Sequence, residues 1–168
     1  MHVYQPAFSL LELMIVIALF SLVSMISIGS YQSYHRFLIS VELNQLRLLL
    51  LCLRYKAMAL HSTISVLLNP AQHSYTFDNQ VHHMRCALFN YLPGTMGPPA
   101  YPHQMIVKAI TFDHDRINFY ADGSVSAGTL YVTDKQNSCM YALTIAVNEF
   151  FNIRIYSYNA SQPWHLIA

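Results

Sequence analysis

The segment His82-His83-Met84-Arg85-Cys86 sets two imidazoles and a thiol at close spacing, ligand types that zinc favours. No second cysteine lies nearby to complete a ligand set, and the segment reads as an exposed loop. Asp113-His114-Asp115 offers oxygen ligands for a hard cation, yet it falls between two strand-like runs, where Asp and His serve a tight turn. No GxSxG elbow, HExxH helix or GxxxxGKS/T phosphate loop occurs, and Ser124 after Asp122-Gly123 has no base at a spacing that nominates it. We therefore expect no catalytic residues, no metal site and no cofactor.

Glu12 is the residue whose type and place do demand chemistry. It stands immediately before the apolar run Leu13 to Ile28, LMIVIALFSLVSMISI. A carboxylate in lipid costs about 3 kcal/mol, so it calls for a cationic partner. The N-terminal ammonium of a neighbouring chain would supply one, and the charge would then fix the register of assembly.

The elements that must position Glu12 follow from composition. The chain of 168 residues fits one modest domain with an appendage. It is 54% hydrophobic and 10% charged, against about 25% charged in an ordinary soluble domain, so part of it belongs in lipid or in an assembly. The run from Phe8 to Gly29 would rise about 33 Å as a helix, enough for a hydrocarbon core of about 30 Å. Its serines can hydrogen-bond back to helix carbonyls. A plain signal anchor or secretory signal is the competing reading, but no basic n-region or small-x-small cleavage site is evident.

No proline occurs between Pro6 and Pro70, and the spacing predicts one helix from Ser9 to about His61. At roughly 80 Å such a helix is too long for the core of so small a domain and should protrude. Leu43, Leu46, Leu50, Leu53, Ala57 and Leu60 recur three and four residues apart, a stripe suited to packing on a sheet. A coiled-coil seam uses the same spacing.

Beyond His61 the pattern changes to strand-like runs at 63–68, 74–77, 85–91, 105–112, 116–120, 129–133, 140–147 and 153–158. Turn chemistry separates them at Asn69-Pro70, Asp122-Gly123, Asp134 to Ser138 and the loop from Pro93 to Pro102. The expected fold is α+β, a long N-terminal hydrophobic helix serving as membrane anchor and stem, packed on a C-terminal antiparallel β-sheet head. The expected division is 1–7 leader, 8–29 transmembrane helix, 30–61 amphipathic stem and 62–168 head.

In the head, Arg85, Lys108, Arg116, Lys135 and Arg154 face six acids, so its aromatic residues lack the basic neighbours of a nucleic-acid stacking platform. No nucleic-acid partner is expected. Cys52, Cys86 and Cys139 form no CxxC pair; Cys86 and Cys139 could bridge in an oxidising compartment, with buried thiols as the alternative.

Ala7-Phe8-Ser9-Leu10-Leu11-Glu12-Leu13 resembles the type IV prepilin processing motif, with Ala7 where that family usually carries Gly. Ile117 to Val132, a strand, an Asp-Gly turn and a second strand, resembles the GspH/FimT group of minor pseudopilins, as does Leu53 to Leu67. The resemblance implies cleavage between Ala7 and Phe8 by a membrane prepilin peptidase and N-methylation of Phe8. It also implies a register role for Glu12 against the amine of an adjoining subunit. Its implied partners are other pseudopilins or pilins in a hetero-oligomeric filament and an inner-membrane assembly platform.

By that resemblance the chain is a single-pass inner-membrane protein with a periplasmic head, a subunit of a type II secretion filament and not an enzyme. The basic residues flanking the helix, taken alone, would place the head in the cytoplasm. A minor pilin of a type IV pilus or competence machine, and a membrane-anchored binding domain that never polymerises, are the alternatives.

Overall fold

The computed structural model describes residues 9–146, 152–159 and 162–167, with the side chains of 25–32 and 162 outside the description. The chain divides into two compact units, Met1–His35 and Arg36–Ala168. Helix α1 (Leu10–Ala59) passes through both.

In the first unit, α1 opens on a cap. Ser9 accepts the Glu12 amide at its hydroxyl (3.2 Å) and at its carbonyl (3.1 Å), satisfying a donor of the first helical turn. The Ser21 and Ser24 hydroxyls donate to the carbonyls of Ala18 and Phe20, both at 2.8 Å, the local bonding expected of serines in an apolar helix.

Among its described residues the second unit holds the rest of α1 and nine strands, all paired antiparallel: β1 (Ile64–Asn69), β2 (Ser74–Phe77), β3 (Gln80–His83), β4 (Ala87–Phe89), β5 (Arg116–Phe119), β6 (Gly128–Asp134), β7 (Cys139–Ala146), β8 (Asn152–Asn159) and β9 (Gln162–Leu166). They form a four-stranded sheet, β3-β2-β1-β5, and a five-stranded sheet, β4-β6-β7-β8-β9. The chain is therefore α+β, with a helix packed on antiparallel sheets.

One core joins the helix to both sheets. Ile39, Leu43, Leu46, Leu50, Leu53 and Ala57 are buried against Val66 and Ile117 of the first sheet and Leu130 and Leu143 of the second. Burying each leucine contributes about 1.5–3 kcal/mol. The expected stripe thus packs on sheets, extends one turn further back to Ile39, and stops before Leu60, which is 59% exposed.

Leu60 falls outside because the helix ends at Ala59, two residues short of the end that its spacing predicts. The Ser62 amide donates to the Ala57 carbonyl and the His61 amide to Met58, with His61 left-handed at φ 46°. This is a Schellman ending with a β-substituted residue where glycine is favoured. His61→Gly is expected to raise stability by about 1 kcal/mol, read as a higher denaturant midpoint with unchanged slope.

The five-stranded sheet is buried on both faces. Residues 128–133 of β6 and 139–145 of β7 are all buried. Tyr131, Met140, Ala142 and Tyr156 form a second cluster on the face away from the stem, joined by Ile106 and Trp164. The Trp164 indole donates to the Met96 carbonyl at 2.9 Å, tying β9 to the loop across that face.

The strand expected over 105–112 does not form. That stretch contributes only the isolated bridges Met96 to Met105 and Ile110 to Leu130. Phe112 instead turns its ring onto Gly128, where a Cβ would stand 2.4 Å from the ring. The His82-His83 segment, expected as a loop, is strand β3: the His82 ring stacks on Phe77 at 4.8 Å and Tyr75 at 5.3 Å. Cross-strand stacking holds a polar sequence extended there.

Candidate functional site

Apart from Glu12, the first turns of α1 present only apolar and hydroxyl groups. From Leu10 to Val23 the large apolar side chains are 40–77% exposed, on every side of the helix. A helix that is apolar all round needs a non-aqueous or proteinaceous surrounding, since each such side chain forgoes about 1.5–3 kcal/mol if left in water. Glu12 lies in the first turn, where a carboxylate also suits the positive end of the helix dipole. Among the described residues its carboxylate has no ion-pair partner.

The Ser9 cap was missed from the sequence, although Ser9-Leu10-Leu11-Glu12 has the S-x-x-E spacing of a capping box. It fixes the start of the helix directly beside the acid. Ala7 and Phe8, the expected cleavage pair, lie outside the described residues.

The expected span, residues 8–29, includes Phe8 and side chains from Met25 onward that are also outside the description. Among the described residues no helix is long and apolar enough to cross a membrane. The described part of the run, Leu10 to Ser24, rises only about 22 Å.

The remaining candidate residues take structural places. Asp113–Asp115 is a single 3-10 turn with His114 left-handed at φ 50°. Among the described residues no group of three or more His, Cys, Asp or Glu could hold a metal ion. Cys86 and Cys139, which could have bridged in an oxidising compartment, are both free thiols, the other reading their spacing left open. Strand β6 separates β4, which follows Cys86, from β7, which begins at Cys139. Two strand spacings are roughly 10 Å, beyond the reach of about 7 Å between Cα atoms that a disulfide allows.

Two stem contacts position the head on the helix. The Glu42 carboxylate accepts the backbone amides of Arg85 (2.6 Å), Cys86 (3.1 Å) and Ala87 (3.1 Å). These residues carry the chain from β3 in one sheet to β4 in the other, so one stem acid pins the crossover. The same charge, after burial, raises the pKa of the neighbouring Tyr75 phenol. The Arg54 Nε donates to the Gly123 carbonyl at 2.8 Å, clamping the Asp122-Gly123 turn to the stem. Gly123 is left-handed at φ 82°, and a Cβ there would stand 2.7 Å from the Met58 sulfur. Asp122 accepts the Ser124 amide and hydroxyl, which hold its carboxyl below the usual range.

Residues 4–28 match the prokaryotic N-terminal methylation motif. That match supports a type IV pilin-like protein, a class whose N-terminus is methylated after removal of a leader by the prepilin peptidase. It covers the capped start of α1, Glu12 and the exposed apolar turns. No curated protein and no solved structure matches the chain.

Proposed function

We propose that this protein is a minor pseudopilin of a type II secretion system, in the GspH/FimT group, and that it has no catalytic activity. The observation that carries the reading is the apolar, exposed start of α1, headed by a Ser9-capped Glu12 and lying within the methylation motif. Residues 1–7 are the leader, and cleavage between Ala7 and Phe8 frees the amine that becomes N-methylated. Residues 8–29 hold the subunit in the inner membrane until assembly, 30–61 form the stem, and 62–168 form the periplasmic head.

In the filament, Glu12 pairs with the N-terminal amine of a neighbouring subunit and sets axial register. The partners are other pseudopilins, the prepilin peptidase and an inner-membrane assembly platform; nucleic acid is not one of them. The subgroup rests on the resemblance of Ile117 to Val132, the segment whose Asp122-Gly123 turn Arg54 clamps to the stem.

Deleting the gene in its host and measuring protein export beside pilus display and DNA uptake tests the assignment. Export is expected to fall at least tenfold with pili and uptake intact. Loss of pili or uptake with export intact would move the protein to a type IV pilus or competence machine.

A further inference from the structure

Strands β7, β8 and β9 bring three side chains onto one rung: Tyr141 pairs with Ser157, and Ser157 with His165. The Ser157 hydroxyl lies 2.7 Å from the His165 Nε2. Between Ser157 and Asn159 the pairing of β8 with β9 shifts register; Ser157 and Asn159 line one recess, while the Tyr158 ring packs on Trp164 across the opposite face of the sheet.

The recess measures about 400 Å³ and is closed on the stem side by Arg36 and Phe37, with Ile167 at its rim. Its polar lining is rich in donors: the Arg36 guanidinium, the Ser157 hydroxyl, the Asn159 amide and the His165 ring. Among the described lining residues there is no carboxylate. Burial keeps the Tyr141 phenol protonated, its pKa pushed up to about 12, so the floor adds no negative charge at neutral pH. Phe37 and Ile167 give the same recess apolar walls.

We propose that this recess binds an organic carboxylate carrying an apolar group, the chemistry of the C-terminal residue of a peptide, with Arg36 holding the carboxylate. Guanidinium and carboxylate match in a planar, two-pronged fashion, and a volume of this size accommodates a single residue. The Ser157 and Asn159 side chains take the remaining oxygen lone pairs, and Phe37 and Ile167 cover the apolar substituent. The site stands independently of the filament reading, since it uses no residue of the N-terminal segment.

The test uses the full chain in detergent micelles and N-acetyl-phenylalanine as probe. Isothermal titration and the NMR signals of isotope-labelled histidines are read together. Saturable binding that shifts the His165 signals is expected, with affinity at least tenfold weaker for the uncharged N-acetyl-phenylalanine amide and for acetate. Arg36→Gln is expected to weaken the acid at least tenfold without changing the unfolding midpoint, and Ile167→Ser to weaken it a few-fold. Equal binding of acid and amide, unchanged affinity in Arg36→Gln, or no saturation up to about 10 mM probe would overturn the proposal. If Arg36→Gln unfolds the head, Ser157→Ala takes its place, and unchanged affinity there has the same meaning.

Discussion

Glu42→Ala is expected to cost the head about 2–4 kcal/mol, because three backbone amides lose a charged acceptor at once. Each amide–carboxylate bond is worth about 1.5–3 kcal/mol net, but water reaches part of this corner and recovers some of the loss. The effect is structural beyond the local bonds, since Met84 to Cys86 carry the chain between the two sheets. Glu42→Gln keeps the side-chain length but offers one acceptor oxygen in place of two, and should fall between wild type and alanine. Denaturant unfolding followed by circular dichroism measures both. A cost below about 0.5 kcal/mol for the alanine variant would mean that the crossover is held by the sheets alone.

Glu12→Gln is expected to reduce recovery of cross-linked complexes with neighbouring subunits at least tenfold while leaving the unfolding midpoint of the head unchanged. The substitution is clean because the helix cap uses the backbone amide of residue 12, not its carboxylate. What is removed is a charge that has no ion-pair partner among the described residues of its own chain. In an apolar assembly, pairing with an ammonium offsets a burial cost of about 3 kcal/mol, and glutamine forgoes that attraction. Site-specific cross-linking in membranes measures the effect. Undiminished complexes would support the alternative of an anchored domain that never polymerises.

Local periodicity made the stem legible: Leu43, Leu46, Leu50, Leu53 and Ala57 are buried as their spacing requires, and the Asp122-Gly123 turn forms where its chemistry places it. The failures share a non-local cause. Strand β3 is held by stacking of His82 between rings of β2, and β9 contains Pro163, which only an edge position tolerates. The 105–112 run has apolar residues at strand-like spacing but no continuous partner, so it covers the second sheet as irregular chain.

Glu42 could not be recognised from its neighbours, because its partners lie 43 to 45 residues away. Leu60 was misassigned because periodicity carries no information about where a Schellman ending cuts the helix. By contrast, the Ser9 cap is legible in the spacing of Ser9 and Glu12. The site that carries the functional reading is local for the same reason: one helix start encodes its cap, its charge and its apolar surface in consecutive residues.

The most direct measurement is the mass of the mature N-terminus after expression with and without a prepilin peptidase. A chain beginning at N-methylated Phe8 is expected when the peptidase is active, and the unprocessed Met1 form when it is absent. A chain that keeps Met1 in the presence of active peptidase would contradict that expectation and leave the filament assignment without its main support.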